Sequence, residues 1–230
     1  MIPEIQRMKR DQKLLIKNYS IKFLIFAFLF LISMAVFAFV AHEVLGENED
    51  WFDTKAFIFL NNHSSPVSLQ IFRVLTFLGS TWFLAIAYII LVVYLFLKKN
   101  TADAIDIAIM GITSYVLLNV LKSVFARDRP SLPLFRTLHT FSFPSGHALL
   151  TFIFCSVLIY LAWKDNRNRT WKWLLSILLI LLAVFIGISR IVLREHYASD
   201  VLAGFCIGFA WVLFSFWVQK IIMKRISVTG

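Results

Sequence analysis

Residues 21–45 read Ile21-KFLIFAFLFLISMAVFAFVAHEV-Leu45, and ionisable side chains interrupt the run only at Lys22, His42 and Glu43. Apolar runs of about 18 residues or more are long enough to cross a bilayer as a helix. Arg7, Lys9, Arg10, Lys13, Lys17 and Lys22 precede or open the run. A cleaved signal peptide has an apolar core of only about 7–15 residues and an A-x-A-like cleavage site. This run is longer and lacks such a site, so it is expected to stay as an anchor.

Five more stretches of the same kind follow, near Thr81–Leu97, Ala102–Val124, His147–Trp163, Trp173–Ser189 and Ser199–Ile221. The 230-residue chain is 60% hydrophobic and 16% charged, against roughly 25% charged in an ordinary globular domain. The expected fold is all-α: a polytopic membrane protein, a six-transmembrane-helix bundle forming one integral membrane domain over residues 1–230. Cys155 and Cys206 fall inside apolar spans and read as small packed residues, not disulfide partners or metal ligands.

Charge sets the expected orientation. The net charge of +10 could suggest nucleic acid, but the surplus lies mainly in loops that a positive-inside topology leaves in the cytoplasm. With the N-terminus inside, inner segments hold fifteen of the 23 Lys and Arg residues. The first outer loop is acidic, with Glu43, Glu47, Glu49, Asp50 and Asp53. Both termini are therefore expected in the cytoplasm of a multi-pass cell-membrane protein, with no nucleic-acid partner and no obligate protein partner. Between the first two spans, Phe52, Ala56 and Phe59 repeat at helical spacing. After Pro66 so do Val67, Ile71, Val74, Leu75 and Leu78. Two short amphipathic helices at the outer interface are expected in this first external loop, packing on the bundle or forming a rim for lipid entry.

Three polar islands remain, all at span ends that this topology places outside. Lys122 and Arg129 are seven residues apart, close to two helical turns. Pro130 disfavours the α conformation at Arg129, so the helix is expected to end there and present the guanidinium at its mouth. A lysine supplies a point charge and an arginine a planar fork matched to phosphate oxygens. Pro144-Ser145-Gly146-His147 precedes the fourth span. Ser145 suits an N-cap, Gly146 permits close approach of a ligand to the backbone, and the first amides of the helix make an anion site. His147 could donate a proton to a leaving oxygen. In the third island, Ser189, Arg190, His196 and Asp200, positions four apart share a helix face. Asp200 can then hold one imidazole nitrogen of His196 and leave the other unprotonated.

Each island alone has a plainer reading: snorkelling cations, an ordinary cap, a structural His–Asp pair. Together they form a kit for holding and cleaving a phosphate ester. The cations beside the histidines would repel a divalent metal and already neutralise phosphate charge, so neither a metal nor another cofactor is expected. Arg127, Arg136 and Arg194 are read as broadening the positive potential. His42, His63 and His139 have no such company and are assigned no chemistry.

The ordered set Lys122-x6-Arg129-Pro130, Pro144-Ser145-Gly146-His147 and Ser189-Arg190-x5-His196-x3-Asp200 resembles the complete signature of the type 2 phosphatidic acid phosphatase (PAP2) family, and the six-span layout resembles its membrane branch. The resemblance implies that Lys122, Arg129, Ser145, Gly146 and Arg190 bind phosphate. It implies that His196 attacks phosphorus to form a phosphohistidine, that Asp200 orients His196, and that His147 protonates the departing alkoxide and then activates water. The residues alone do not choose which histidine attacks. The expected activity is removal of the terminal phosphate from a membrane lipid, with phosphatidylglycerophosphate first and undecaprenyl diphosphate or phosphatidic acid as alternatives. Soluble haloperoxidases share such a cradle, but six spans argue against that reading. A lipid-binding or transport protein with a dead site would be expected to lack a motif residue or to show internal repeats; neither is found.

Overall fold

The computed structural model describes residues 2–46, 51–131, 133–135 and 140–229. Eight helices follow in chain order among these residues: α1 Ile2–Gly46, α2 Trp51–Asn62, α3 Pro66–Leu78, α4 Thr81–Leu97, α5 Thr101–Phe125, α6 Gly146–Lys164, α7 Arg169–Val192 and α8 Ala198–Thr229. The six expected spans lie in α1 and α4–α8. Several helices run past their apolar stretch into flanking Lys, Arg and Trp residues, which do not break a helix. Five helices are long and apolar enough to cross a membrane outright. The sixth, α4, has 17 residues and joins α3 across a 46° bend.

Local sequence explains the breaks. Ser65 caps α3 through a reciprocal pair with Ser68, and Pro66 occupies the first turn, where its missing N–H costs nothing. Ser80 caps α4 by accepting from the Phe83 amide at 3.3 Å. The expectation that α5 runs to Arg129 is not met. It ends at Phe125, where Ala126 turns left-handed with φ 45° and its amide closes on the Lys122 carbonyl. Lys122 and Arg129 thus belong to a helix end and to the strap beyond it, not to one helix face.

The core is a seam shared by α1, α4, α5, α6 and α8, with Phe37, Leu84, Ile107, Leu118, Ile153 and Ile207 among its buried members. Within it, the rings of Phe37, Phe125 and Phe143 meet in an aromatic triangle with centroid separations of 6.0, 4.8 and 5.8 Å. This pins the loop that carries Phe143 to α1 and α5. Helix α8 passes α6 at backbone range: a Cβ built on Gly204 would lie 2.8 Å from the Ser145 carbonyl, and one on Gly208 3.3 Å from the Leu149 carbonyl. Two glycines four apart on one helix face are a common means of such approach in membranes.

Helices α2 and α3 form where expected, but the expected apolar stripe is split between an outward and an inward side. Phe52, Phe59, Val67, Ile71 and Val74 point outward, while Asp53 and Thr76 are buried. The inward side is mixed, since Ala56, Phe57 and Leu60 also pack against the bundle; apolar side chains left outward suit a bilayer edge. Glu47, Glu49, Asp50, Arg136 and His139 lie outside the described residues. Cys155 is buried and Cys206 partly so, and both are free thiols.

Because the carbonyl facing Gly204 cannot swing aside as a side chain would, Gly204→Ala should destabilise the fold by about 1–3 kcal/mol. Gly46→Ala, at a position with nothing within 4 Å of the added carbon, serves as the control. Thermal unfolding of both variants in detergent checks this.

Candidate active site

The three islands meet at one end of the bundle, where α5 and α7 finish and α6 and α8 begin. His196 lies in the turn between α7 and α8, two residues ahead of α8. Its contact with Asp200 is made across the helix start, with Nδ1 to Oδ2 at 3.2 Å, and not along a helix face. Asp200 Oδ2 also accepts from the Tyr197 amide at 2.9 Å and from the Ser142 hydroxyl. A carboxylate so placed accepts, so Nδ1 carries the proton. Nε2 is then the basic nitrogen, and Arg129 Nη1 lies 3.2 Å from it.

Burial first, then the charges of Arg129, Lys122 and Arg190, push the His196 imidazole well below its ordinary value, against an opposing hydrogen bond from the ring to the Ser142 backbone. The ring is therefore neutral at pH 7, the form that can attack. Lys122 donates to the carbonyls of Phe141 and Ser142. Arg129 donates to the carbonyls of Thr140, Phe141 and Glu195 and to the Thr140 hydroxyl. The strap of residues 140–142 thus collects both cations.

The second island is built as a helix start. Ser145 is buried and caps α6, accepting from the Ala148 amide at 3.5 Å, while its own amide donates to the Asp200 carbonyl at 3.0 Å. The Phe143–Pro144 peptide is cis. Gly146 has ordinary helical geometry, and a Cβ added there would meet the Leu118 side chain at 2.8 Å. Its small size is explained by packing against α5, a reason the sequence reading did not give. His147 lies in the first turn of α6, against the α3–α4 bend: a Cβ on Gly79 would reach its ring at 3.0 Å, Thr151 Oγ1 at 3.1 Å and Ile186 at 2.4 Å. Arg190, one turn after Ile186, is fully buried, pairs with Glu195 and donates to Thr76.

The expectation that Arg127 only adds to the field is overturned. Its guanidinium is almost wholly buried and bridges two carboxylates, Nη2 to Asp53 Oδ2 and Nη1 to Asp200 Oδ1, each at 2.8 Å. It also donates to the Ser199 hydroxyl at 2.7 Å and stacks 3.9 Å from the Tyr197 ring centroid. Burial would weaken its hold on the proton, but Asp200 and Asp53 outweigh that and keep it charged. Asp53 in turn accepts from the Ser199 amide at 2.8 Å and hydroxyl at 2.7 Å. Arg194 instead reaches Asn61 at 3.4 Å. His42 and His63 make only local contacts, with Glu43 and with the Phe59 carbonyl.

Thr76, Ser142 and Glu195 were not singled out by the sequence reading, and Asp53 was read only as a loop charge. Ser142 and Glu195 flank motif residues, a faint signal. Asp53 and Thr76 gave none, since their partners are 74 and 114 positions away. Among the described residues, no three His, Cys, Asp or Glu side chains gather as a metal site.

Residues 103–224 match the PAP2 superfamily. Phosphatidylglycerophosphatase B of Bacillus subtilis is 32% identical over 135 residues, covering 58% of this chain and 66% of that protein. Undecaprenyl-diphosphatase of Sulfolobus acidocaldarius is 30% identical over 126 residues, 52% of this chain and 56% of that one. Each alignment spans less than two thirds of the relative's length. The crystal structure of a transmembrane PAP2 type phosphatidylglycerolphosphate phosphatase from Bacillus subtilis superposes with a TM-score of 0.75 at 24% identity, over 84% of this chain and 96% of that one.

Removing one member of a buried charge chain leaves its partners uncompensated, at about 3 kcal/mol or more. Asp53→Ala should therefore lower stability by that amount, although Asp53 lies on the short helix α2. Chemical or thermal unfolding against wild type measures it.

Proposed function

The chain belongs to the PAP2 superfamily, and from that premise we propose that it is a lipid phosphatase working through a phosphohistidine on His196. The observation that carries the mechanism is the division of labour on the His196 ring. Nδ1 is held by Asp200, while Nε2 faces the cationic cradle as a neutral base. In the first step Nε2 attacks phosphorus, the bond to the lipid oxygen breaks, and His147 gives that oxygen its proton. Water then loses a proton to His147 and attacks phosphorus. The P–N bond breaks, inorganic phosphate leaves and His196 returns to its starting form.

Lys122, Arg129 and Arg190, with the α6 amides behind Ser145 and Gly146, would take up the phosphate oxygens and the charge that develops on them. These cations perform the neutralisation a metal would otherwise perform, so the proposed reaction is metal-independent. Asp200 orients and does not itself react.

The substrate is proposed to be a lipid monoester phosphate, phosphatidylglycerophosphate first. The likeness to phosphatidylglycerophosphatase B supports this, while the likeness to an undecaprenyl-diphosphatase favours an isoprenoid diphosphate as the second reading. The outward stripes of α2 and α3 suit a headgroup-level rim beside the site. The loop charges support cytoplasmic termini and an extracytoplasmic site in the cell membrane.

His196→Ala should abolish turnover, with vanadate still binding to the cradle. Wild-type protein quenched during turnover should carry acid-labile phosphate; undiminished turnover in the variant would refute the nucleophile. The neutral imidazole reacts, and its proton affinity is depressed. The acid limb of kcat/KM should therefore fall below about 6.5, the ordinary imidazole value, with a basic limb where His147 loses its proton. Side-by-side turnover of the two lipids by purified protein in detergent ranks the substrates.

A further inference from the structure

Glu195 is a buried acid inside a site built for anions. It is 1% exposed, precedes the proposed nucleophile in the chain, and pairs through Oε2 with Nη2 of the fully buried Arg190. Its amide donates to the Arg190 carbonyl at 3.0 Å, and its own carbonyl accepts from Arg129 Nη1 at 2.6 Å. The residue is thus held between two of the three cationic side chains assigned to phosphate, with its negative charge turned toward one of them. Burying a carboxylate is costly, and this one weakens the field that draws substrate. Arg190 already has Thr76 as a neutral partner, so orientation by hydrogen bonding would not require a charge.

We propose that Glu195 is a resident counter-anion of the cradle, a specificity residue that occupies Arg190 in the empty site and hastens release of inorganic phosphate. This rests on the lipid-phosphatase reading. A lipid substrate gains affinity from its apolar tail as well as from its phosphate, whereas the product has the cradle alone. A negative charge beside Arg190 therefore weakens the hold on product while the tail still secures substrate. Arg127 does not compensate, because Asp53 and Asp200 already bracket it.

Glu195→Gln keeps the shape and removes the charge. Binding of inorganic phosphate and of orthovanadate is measured by calorimetry on the full-length protein in detergent micelles, alongside phosphate inhibition of turnover. A unit charge removed a few ångströms from a bound dianion should tighten phosphate by about tenfold or more. Both kcat and KM should fall as release becomes slow. Glu195→Asp, which keeps the charge, should stay within about threefold of wild type by the same reasoning. If Glu195→Gln does not fold, Glu195→Ala, which lets water reach Arg190, carries the same expectation. Unchanged or weaker phosphate binding in a folded, charge-free variant would overturn the proposal and leave Glu195 as a mere orienter of Arg190. Wild-type protein that binds neither anion and turns over no lipid phosphate would overturn the phosphatase reading itself, a distinct result.

Discussion

The arrangement of the site depends on one buried charge chain, Asp53–Arg127–Asp200. Its central guanidinium is shared by a carboxylate from α2 and one from the first turn of α8. Three charges without much water are tolerable only if each is matched and hydrogen-bonded. Here the remaining lone pairs are met by the amide and hydroxyl of Ser199, the hydroxyl of Ser142 and the amide of Tyr197. The same contacts that satisfy Asp200 also aim it at His196. Stability and orientation of the proposed nucleophile therefore come from one network.

Placement at a bilayer edge would suit this arrangement. A helix in water would bury Phe52 and Phe59 and expose Asp53. At a membrane edge Phe52 and Phe59 can stay outside, while the side docked on the bundle carries Asp53 together with Ala56, Phe57 and Leu60. Helix α2 is thus at once a surface element and the source of a buried carboxylate. Helix α3 repeats the pattern, with Val67 and Val74 outward and Thr76 on Arg190. Elements whose amphipathicity suggests mere packing take part in the polar interior of the site.

Charge is also balanced more closely than a count of cations suggests. Lys122, Arg127, Arg129 and Arg190 stand against Asp53, Asp200 and Glu195, within one connected region. Arg127 serves the carboxylates, Arg190 meets Glu195, and Lys122 and Arg129 rest on the carbonyls of the 140–142 strap. On the proposed reading, an arriving phosphate would exchange with carbonyl oxygens and with a resident carboxylate, not with bulk water alone. Such an exchange would let a strongly basic pocket bind an anion without trapping it.

The spans, the fold class and the three motif clusters were legible in the sequence because each depends on short-range regularities: apolar run length, caps, and charges set next to spans. Family membership was legible for the same reason, as ordered motifs. What the sequence could not supply was any pairing across long separations, such as Asp53 with Arg127 or Thr76 with Arg190, since no local pattern marks which distant groups will share a buried space. Nor could it show that α5 stops at Phe125, because a left-handed alanine carries no signature, or that Gly146 and Gly204 are small for packing. Those points belong to the tertiary structure, where exclusion of water obliges every buried charge to find a partner and every close helix crossing to find room.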